Sequence, residues 1–270
     1  MHKVGTEYSR LPVSYMGYVT GRPMPRVVSL LFRLYLSAFG YPNVVSKTLF
    51  QEVSKTLRPR LGERWLDAGC ARGFLSPTIC HAGSIYVGVE IQYQRAAMGQ
   101  KLGGGVGLQA SFVSGDIARL SFPSGCFDGI VCLETLEHVP NDVETLAEFY
   151  RVMKPGAWLV LSVPIVRGEM LDAERPDLAR QGHVRRGYTL ERLQTLLIGQ
   201  GFCCTDVRPW ATPMFARIHK MYGRFGARSR IVVFPLLSLL SEVGCHRMAA
   251  YENVEGLDQR RYLLVVARKD

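Results

Sequence analysis

At 270 residues, 47% of them hydrophobic, the chain carries enough apolar side chain for a sizeable core, which excludes a disordered protein and fits one large domain, with or without a lid. Its formal charge of +10 is unevenly spread: residues 1–64 hold ten Lys or Arg against three Asp or Glu, residues 65–210 thirteen against fifteen, and residues 211–270 ten against five. The seven cysteines (Cys70, Cys80, Cys126, Cys132, Cys203, Cys204 and Cys245) are odd in number, scattered and without a C-x-x-C pair, which argues against a disulfide framework and points to a reducing cytoplasm.

In chain order, no secretory leader is expected, because the first long apolar run starts only at Val27. Arg26 to Phe39 has a helical pattern in which Ser29, Arg33 and Ser37 form one narrow polar stripe, so this helix must be covered on most sides. With an arginine inside it, the run from Val27 to Phe39 is too short to span a bilayer. Gly40-Tyr41-Pro42-Asn43 makes a turn, and Val44 to Leu57 reads as a second helix. Strands near 64–68, 85–90, 110–114, 127–133 and 157–163 then alternate with helices near 73–82, 92–101 and 142–153, the rhythm of a parallel sheet. Lys154-Pro155-Gly156 is expected to turn the chain into the fifth strand. Thr189 to Gln200 is the next expected helix, with Thr189 as N-cap and Gly201 just past its end. A strand over Cys203 to Val207 follows, and the closing strand, Arg261 to Arg268, comes late.

Arg64-Trp65-Leu66-Asp67-Ala68-Gly69-Cys70-Ala71-Arg72-Gly73 reads as a buried strand that breaks into a glycine-bearing turn, the place where an α/β sheet meets a nucleotide-like ligand. Asp67 at the strand tip opposes a phosphate and suits a cation. Ala71 stands where a glycine is usual, and a right-handed turn is expected to tolerate its methyl. Ile85 to Val89 is a second apolar run ending in Glu90, placed to accept from ribose hydroxyls.

The stretch Asp67-Ala68-Gly69-Cys70-Ala71-Arg72-Gly73 resembles the first motif, Asp-x-Gly-Cys-Gly-x-Gly, of the class I S-adenosylmethionine-dependent methyltransferases, in the small-molecule branch of methyltransferase type 11 and the ubiquinone-biosynthesis O-methyltransferases. The resemblance covers roughly residues 60–210 and Arg261 onward. It implies an α/β, Rossmann-like sheet of seven mostly parallel strands with helices on both faces, its last two strands an antiparallel pair at one edge. It also implies S-adenosylmethionine as cofactor and S-adenosylhomocysteine as product. Asp67, Gly69, Cys70, Ala71, Gly73 and Glu90 are then cofactor-binding residues. Asp116 would accept from the adenine amine, Ile117 would pack on its ring, and Leu133 would close the site at the fourth strand's end.

The same resemblance divides the chain into a core over 61–210 and 259–270, an N-terminal helical lid over 1–60 and an inserted cap over 211–258, the last two choosing the acceptor. The cap carries Arg217, Lys220, Arg224, Arg228 and Arg230 without an acidic residue, then the apolar run Ile231 to Leu240. Such a pairing suits peripheral contact with an anionic membrane, at its cytoplasmic face. Packing of the apolar segments on each other as a lid, a homodimer interface, and nucleic-acid contact through Tyr222 and Phe225 are the alternatives.

Methyl transfer is an in-line displacement, so a nucleophile must stand about 3 Å from the methyl, and a hydroxyl must lose its proton. Glu134 is delivered to the cleft by the fourth strand, and His138 is the natural base. Glu134-x-x-Glu137-His138 resembles the segment of the ubiquinone-biosynthesis enzymes, and also that of small-RNA 2′-O-methyltransferases, where such a set joins a later histidine, here His183, to hold a divalent metal. Two readings stay open: Glu134, Glu137, His138 and His183 as ligands of Mg, Mn or Zn, or no metal, with His138 as base or helix cap and His183 in the acceptor pocket. Asn141 or Asp142 is placed to cap the following helix. The absence of a metal is the expectation. The resulting function is methylation of an oxygen, or a carbon, of a hydrophobic acceptor such as a quinone precursor, isoprenoid, polyketide or lipid-linked sugar. The alternatives are a metal-dependent RNA 2′-O-methyltransferase and a non-catalytic, membrane-associated protein of the same fold.

Overall fold

The structure, a computed structural model, describes residues 44–80, 83–105, 108–166, 183–210, 221 and 262–270. The expected helix over 26–39, the rest of the lid before residue 44, and all of the cap except Met221 lie outside the described residues. In chain order the elements are α1 (Val44–Thr56), β1 (Arg64–Ala68), α2 (Ser76–Cys80), β2 (Ile85–Glu90), α3 (Tyr93–Gly105), β3 (Ala110–Ser114), β4 (Phe127–Leu133), a 3-10 turn (Leu136–His138), α4 (Asp142–Val152), β5 (Met153–Pro164), α5 (Leu190–Gly199), β6 (Phe202–Pro209) and β7 (Tyr262–Lys269).

The seven strands form one sheet in the order β3-β2-β1-β4-β5-β7-β6. The first five are parallel, and β7 runs antiparallel between β5 and β6. Helices cover both faces, so the inner strands are apolar on both sides, and neighbouring residues separate by period two. Leu66, Ile130, Leu159, Leu161 and Val265 face a core shared with Phe149, Leu193 and Leu197. Trp65, Val131, Val160 and Leu264 face the other side, against Leu75, Ile79 and Trp210. That second core also holds Leu49, Val53 and Leu57, at helical spacing along and just past α1. The described end of the expected lid is therefore docked on the sheet.

Two expectations need correction. Lys154-Pro155-Gly156 is not a turn but the first part of β5: Phe127 pairs with Met153 whereas Gly129 pairs with Trp158, so the extra residues bulge out of the ladder, with Gly156 at φ +76°. The helix expected over 73–82 begins only at Ser76, because Gly73 is left-handed at φ +69° and its carbonyl accepts from both the amide and the hydroxyl of Ser76; residues 81 and 82 lie outside the described residues. The N-cap of α5 is as expected, Thr189 Oγ1 accepting from the Arg192 amide at 3.1 Å.

The order of the sheet reverses at β1, between β2 and β4, and the carboxyl ends of those strands frame the crevice of such a fold. At the other edge β6 ends beside the start of β7, where Trp210 stacks on Tyr262 with ring centroids 4.9 Å apart. No described helix is long and apolar enough to cross a membrane.

Gly129 pairs with Trp65 across β4 and β1, and a Cβ there would stand 2.4 Å from the buried indole. Gly129→Ala is expected to lower unfolding stability by about 1–3 kcal/mol, read as an earlier urea midpoint with an unchanged circular dichroism spectrum. An unmoved midpoint would show that the indole shifts freely.

Candidate active site

The turn after β1 is built from left-handed residues: Gly69 at φ +81°, Ala71 at +49° and Gly73 at +69°. A Cβ on Gly69 would come within 2.2 Å of the Thr135 side chain, so only glycine fits there. Ala71 departs from the expected right-handed geometry, and its conformation costs about 1–2 kcal/mol relative to a right-handed one. Glu90 holds it in place. Its Oε2 accepts from the Ala71 amide at 3.0 Å and its Oε1 from the Gln92 amide at 2.9 Å. Both oxygens keep an acceptor site for a further donor.

Glu90 opens onto a cleft of about 580 Å³, also lined by Gly69, Ala71, Asp116, Ile117, Leu133, Glu134 and His138. Asp116 is exposed and its Oδ1 accepts from the Ala118 amide at 2.9 Å, while Ile117 beside it is buried. This places a carboxylate and an aliphatic side chain on the wall of the same cleft as Glu90. A larger cavity of about 710 Å³, bordered by Arg58, Trp65, Asp128 and Trp158, contains none of the expected site residues.

Asp67, Cys70 and Gly73 are not on the cleft wall. Asp67 is 5% exposed, and its Oδ2 accepts from the Tyr86 hydroxyl at 2.7 Å, tying β1 to β2. Burial pushes its carboxyl up to about 7; the Tyr86 hydroxyl opposes the rise and Glu90 adds to it. Burial likewise pushes the Cys70 thiol up, and the acids Asp67 and Glu90 reinforce it, so it stays protonated and unreactive.

Past β4 the chain makes a second non-glycine left-handed step, at Glu134 (φ +49°). The Ser162 hydroxyl donates to Glu134 Oε1, and Trp210 Nε1 donates to Ser162 Oγ at 2.9 Å. Burial, reinforced by Glu137, holds the Glu134 carboxyl well above the ordinary range, against the Ser162 hydroxyl.

The 3-10 turn brings His138 against His183, with ring centroids 4.4 Å apart at 65°. Donor atoms of Glu137, His138 and His183 all lie within 4.8 Å of one another. Glu134 is outside this group, its carboxyl turned to Ser162. Among the described residues, Glu137 Oε2 and His183 Nδ1 are buried without a hydrogen-bond partner. Burial pushes Glu137 up to about 7 against a backbone amide and Arg185, while burial and then His138 push His183 below its ordinary 6.5. One carboxyl and two imidazoles suit a divalent cation, and equally a proton acceptor kept neutral. Asn141 does precede α4, but its side chain donates to Glu144 and makes no cap bond.

Ser162, Trp210 and Arg185 join the expected site residues without a local motif to announce them. The only sequence signals were a serine inside an otherwise apolar strand and a tryptophan at the end of another.

Residues 66–161 match a family described as a methyltransferase domain. The chain is 28% identical over 235 residues to the O-methyltransferase cnsE of Penicillium expansum, covering 84% of this chain and 79% of that one. It is 30% identical over 109 residues to the ubiquinone biosynthesis O-methyltransferase of Thiobacillus denitrificans, 40% of this chain, and spans 47% of that relative's length. Its fold is similar to the solved S-adenosylmethionine dependent methyltransferase from Mesorhizobium loti, with a TM-score of 0.57 at 19% identity over 84% of this chain and all of that one.

The raised carboxyl of Asp67 has a definite sign in stability. Because its value rises from 3.8 to about 7 on folding, the folded state binds the proton more tightly, and the resulting stability is full below 3.8 and lost as pH rises through 7. Asp67→Asn keeps an acceptor for Tyr86 but cannot titrate. Its melting temperature relative to the wild type should climb between pH 4 and 7, and parallel curves would show that Asp67 is not perturbed.

Proposed function

Because the chain belongs to the class I S-adenosylmethionine-dependent methyltransferases, we propose that it methylates an oxygen, or a carbon, of a hydrophobic small molecule such as a quinone precursor, isoprenoid, polyketide or lipid-linked sugar. The observation that carries this reading is His138 on the cleft wall with the His183 ring packed against it. Similarity to relatives named as O-methyltransferases supports oxygen as the acceptor atom.

S-adenosylmethionine, when bound, supplies an electrophilic methyl on a sulfonium. The residues of this chain bind and orient it. Glu90 accepts from the ribose hydroxyls, Asp116 from the adenine amine, and Ile117 and Leu133 pack against the nucleoside. Gly69 and Ala71 let the backbone approach, and Asp67, Cys70 and Gly73 brace that turn from behind. Glu134 borders the reacting end of the cleft. His138 removes the acceptor's proton, and His183, kept neutral by burial, holds the acceptor and shares that proton. The lid over 1–60 and the cap over 211–258 are assigned to acceptor choice, and the basic and apolar runs of the cap to peripheral membrane contact.

A second reading is favoured by the two orphaned atoms Glu137 Oε2 and His183 Nδ1. In it, Glu137, His138 and His183 hold a divalent cation, which would lower the pKa of an acceptor hydroxyl. Dialysis against a chelator separates the two: transfer persists in the first reading, and is lost and then restored by Mn²⁺ or Zn²⁺ in the second.

The deciding experiment is transfer of labelled methyl from S-adenosylmethionine into a cell extract, counted separately in organic-soluble and RNA fractions. Label in the organic fraction supports the hydrophobic acceptor, and label in RNA overturns it in favour of a 2′-O-methyltransferase. Glu90→Ala removes hydrogen bonds to a charged acceptor worth about 1.5–3 kcal/mol each, so its S-adenosylmethionine affinity should fall at least about tenfold in calorimetry. Unchanged affinity would remove Glu90 from the ribose site.

A further inference from the structure

His138 and His183 stand on two irregular segments, one after β4 and one before α5, and neither histidine lies within a strand. We infer that Arg185 is the positioning residue that sets these two imidazoles against each other, an inference that rests on the reading of the histidine pair as the acceptor side of the site.

The Arg185 guanidinium is inserted among the carbonyls that surround His138. Its Nη1 donates to Leu136 O at 2.9 Å and to Val139 O at 2.7 Å, and its Nη2 to Pro140 O at 2.8 Å. Nη1 also donates to the Tyr188 hydroxyl at 2.8 Å, so its two hydrogens are shared among three acceptors. A one-turn 3-10 segment leaves most of its carbonyls without backbone donors, and these need partners when the segment is covered. A planar fork of five donors reaches acceptors spread along both of its edges, whereas a lysine ammonium offers three donors from a single point.

The charge is balanced locally. Asp142 Oδ2 lies 3.6 Å from Nη1, with the two side chains 11% and 7% exposed, and it also accepts from the Tyr188 hydroxyl at 3.1 Å. The main chain completes the clamp, because the amides of Val184 and Arg185 donate to the Glu137 carbonyl at 3.1 and 3.3 Å. Tyr188 then anchors the far end of the segment to β5, its amide donating to Pro164 O at 2.9 Å. Arg185 therefore grips both flanks of His138 from a position two residues after His183. The donor side is held separately, by Glu90 on β2 and the turn after β1.

The test uses the full chain labelled with ¹³C in its histidine rings, and variants Arg185→Met and Arg185→Lys. Three quantities are read: the nuclear Overhauser contact between the His138 and His183 rings, S-adenosylmethionine affinity by calorimetry, and methyl transfer into the organic-soluble extract. His138→Gln and His183→Gln identify the ring signals. Loss of the inter-ring contact and an approximately 100-fold fall in transfer, since displacement by about 1 Å costs that much, are expected, with donor affinity within about threefold. An inter-ring contact that survives in Arg185→Lys, or donor affinity falling in parallel with transfer, would overturn the inference.

If Arg185→Met fails to fold, Arg185→Lys combined with His138→Gln decides. A residue acting through His138 makes the double variant no slower than His138→Gln alone, whereas multiplied losses would mean that Arg185 supports the fold only. The ring contact is measured without any acceptor. Full transfer by both histidine variants would therefore sink the acceptor reading of the pair, while Arg185's control of ring placement would still be read from the contact itself.

Discussion

The carboxylate of Glu90 is the constraint on which the donor side of this molecule turns. It is the last residue of β2, it is buried, and it binds the amide of a left-handed alanine in one direction and the chain leaving β2 in the other. That anchor works together with the amides of Gly69 and Cys70, which donate to the Val89 carbonyl at 2.8 and 3.0 Å and hold the turn where Gly69 is tucked against Thr135. A buried carboxyl depends on the amides of Ala71 and Gln92 for its hydrogen bonds, so turn geometry and ligand capacity are one property.

The same end of the sheet concentrates acids in dry surroundings. Asp67, Glu134 and Glu137 are all raised, with burial the leading cause in each. Reluctant acids at one end of a sheet are characteristic of a site rather than of a surface, where solvent would return them to ordinary values. Of the three, only Glu134 borders the cleft. The chain's net basicity, which resides in its flanks, therefore says little about the interior chemistry.

How far the sequence foretold this depends on the range of the interaction concerned. β1 to β4 have the limits read from their apolar runs, because each is bounded by charged, glycine or turn residues that act locally. The late start of α2 is not legible because Gly73 is left-handed and leaves no room for a Cβ beside Phe112, which a linear pattern does not display. The handedness of Ala71 likewise depends on a carboxylate 19 residues away. Glu90, Asp116 and Glu134 were legible as residues at or just past strand ends, and His138 from the Glu134-x-x-Glu137-His138 spacing. Ser162 and Trp210 were not, since their bond spans 48 residues, and Arg185 reaches its carbonyls across 45 to 49.

The stack of Trp210 on Tyr262 has a consequence for the length of chain between them. The 51 residues between them leave and re-enter the sheet at a single point, already closed by paired strands and stacked rings. A connection whose ends are pinned at one point costs about 0.6 kcal/mol more for each doubling of its length. Residues 211–261 can accordingly be lengthened, shortened or exchanged at little cost to the strands that hold their ends.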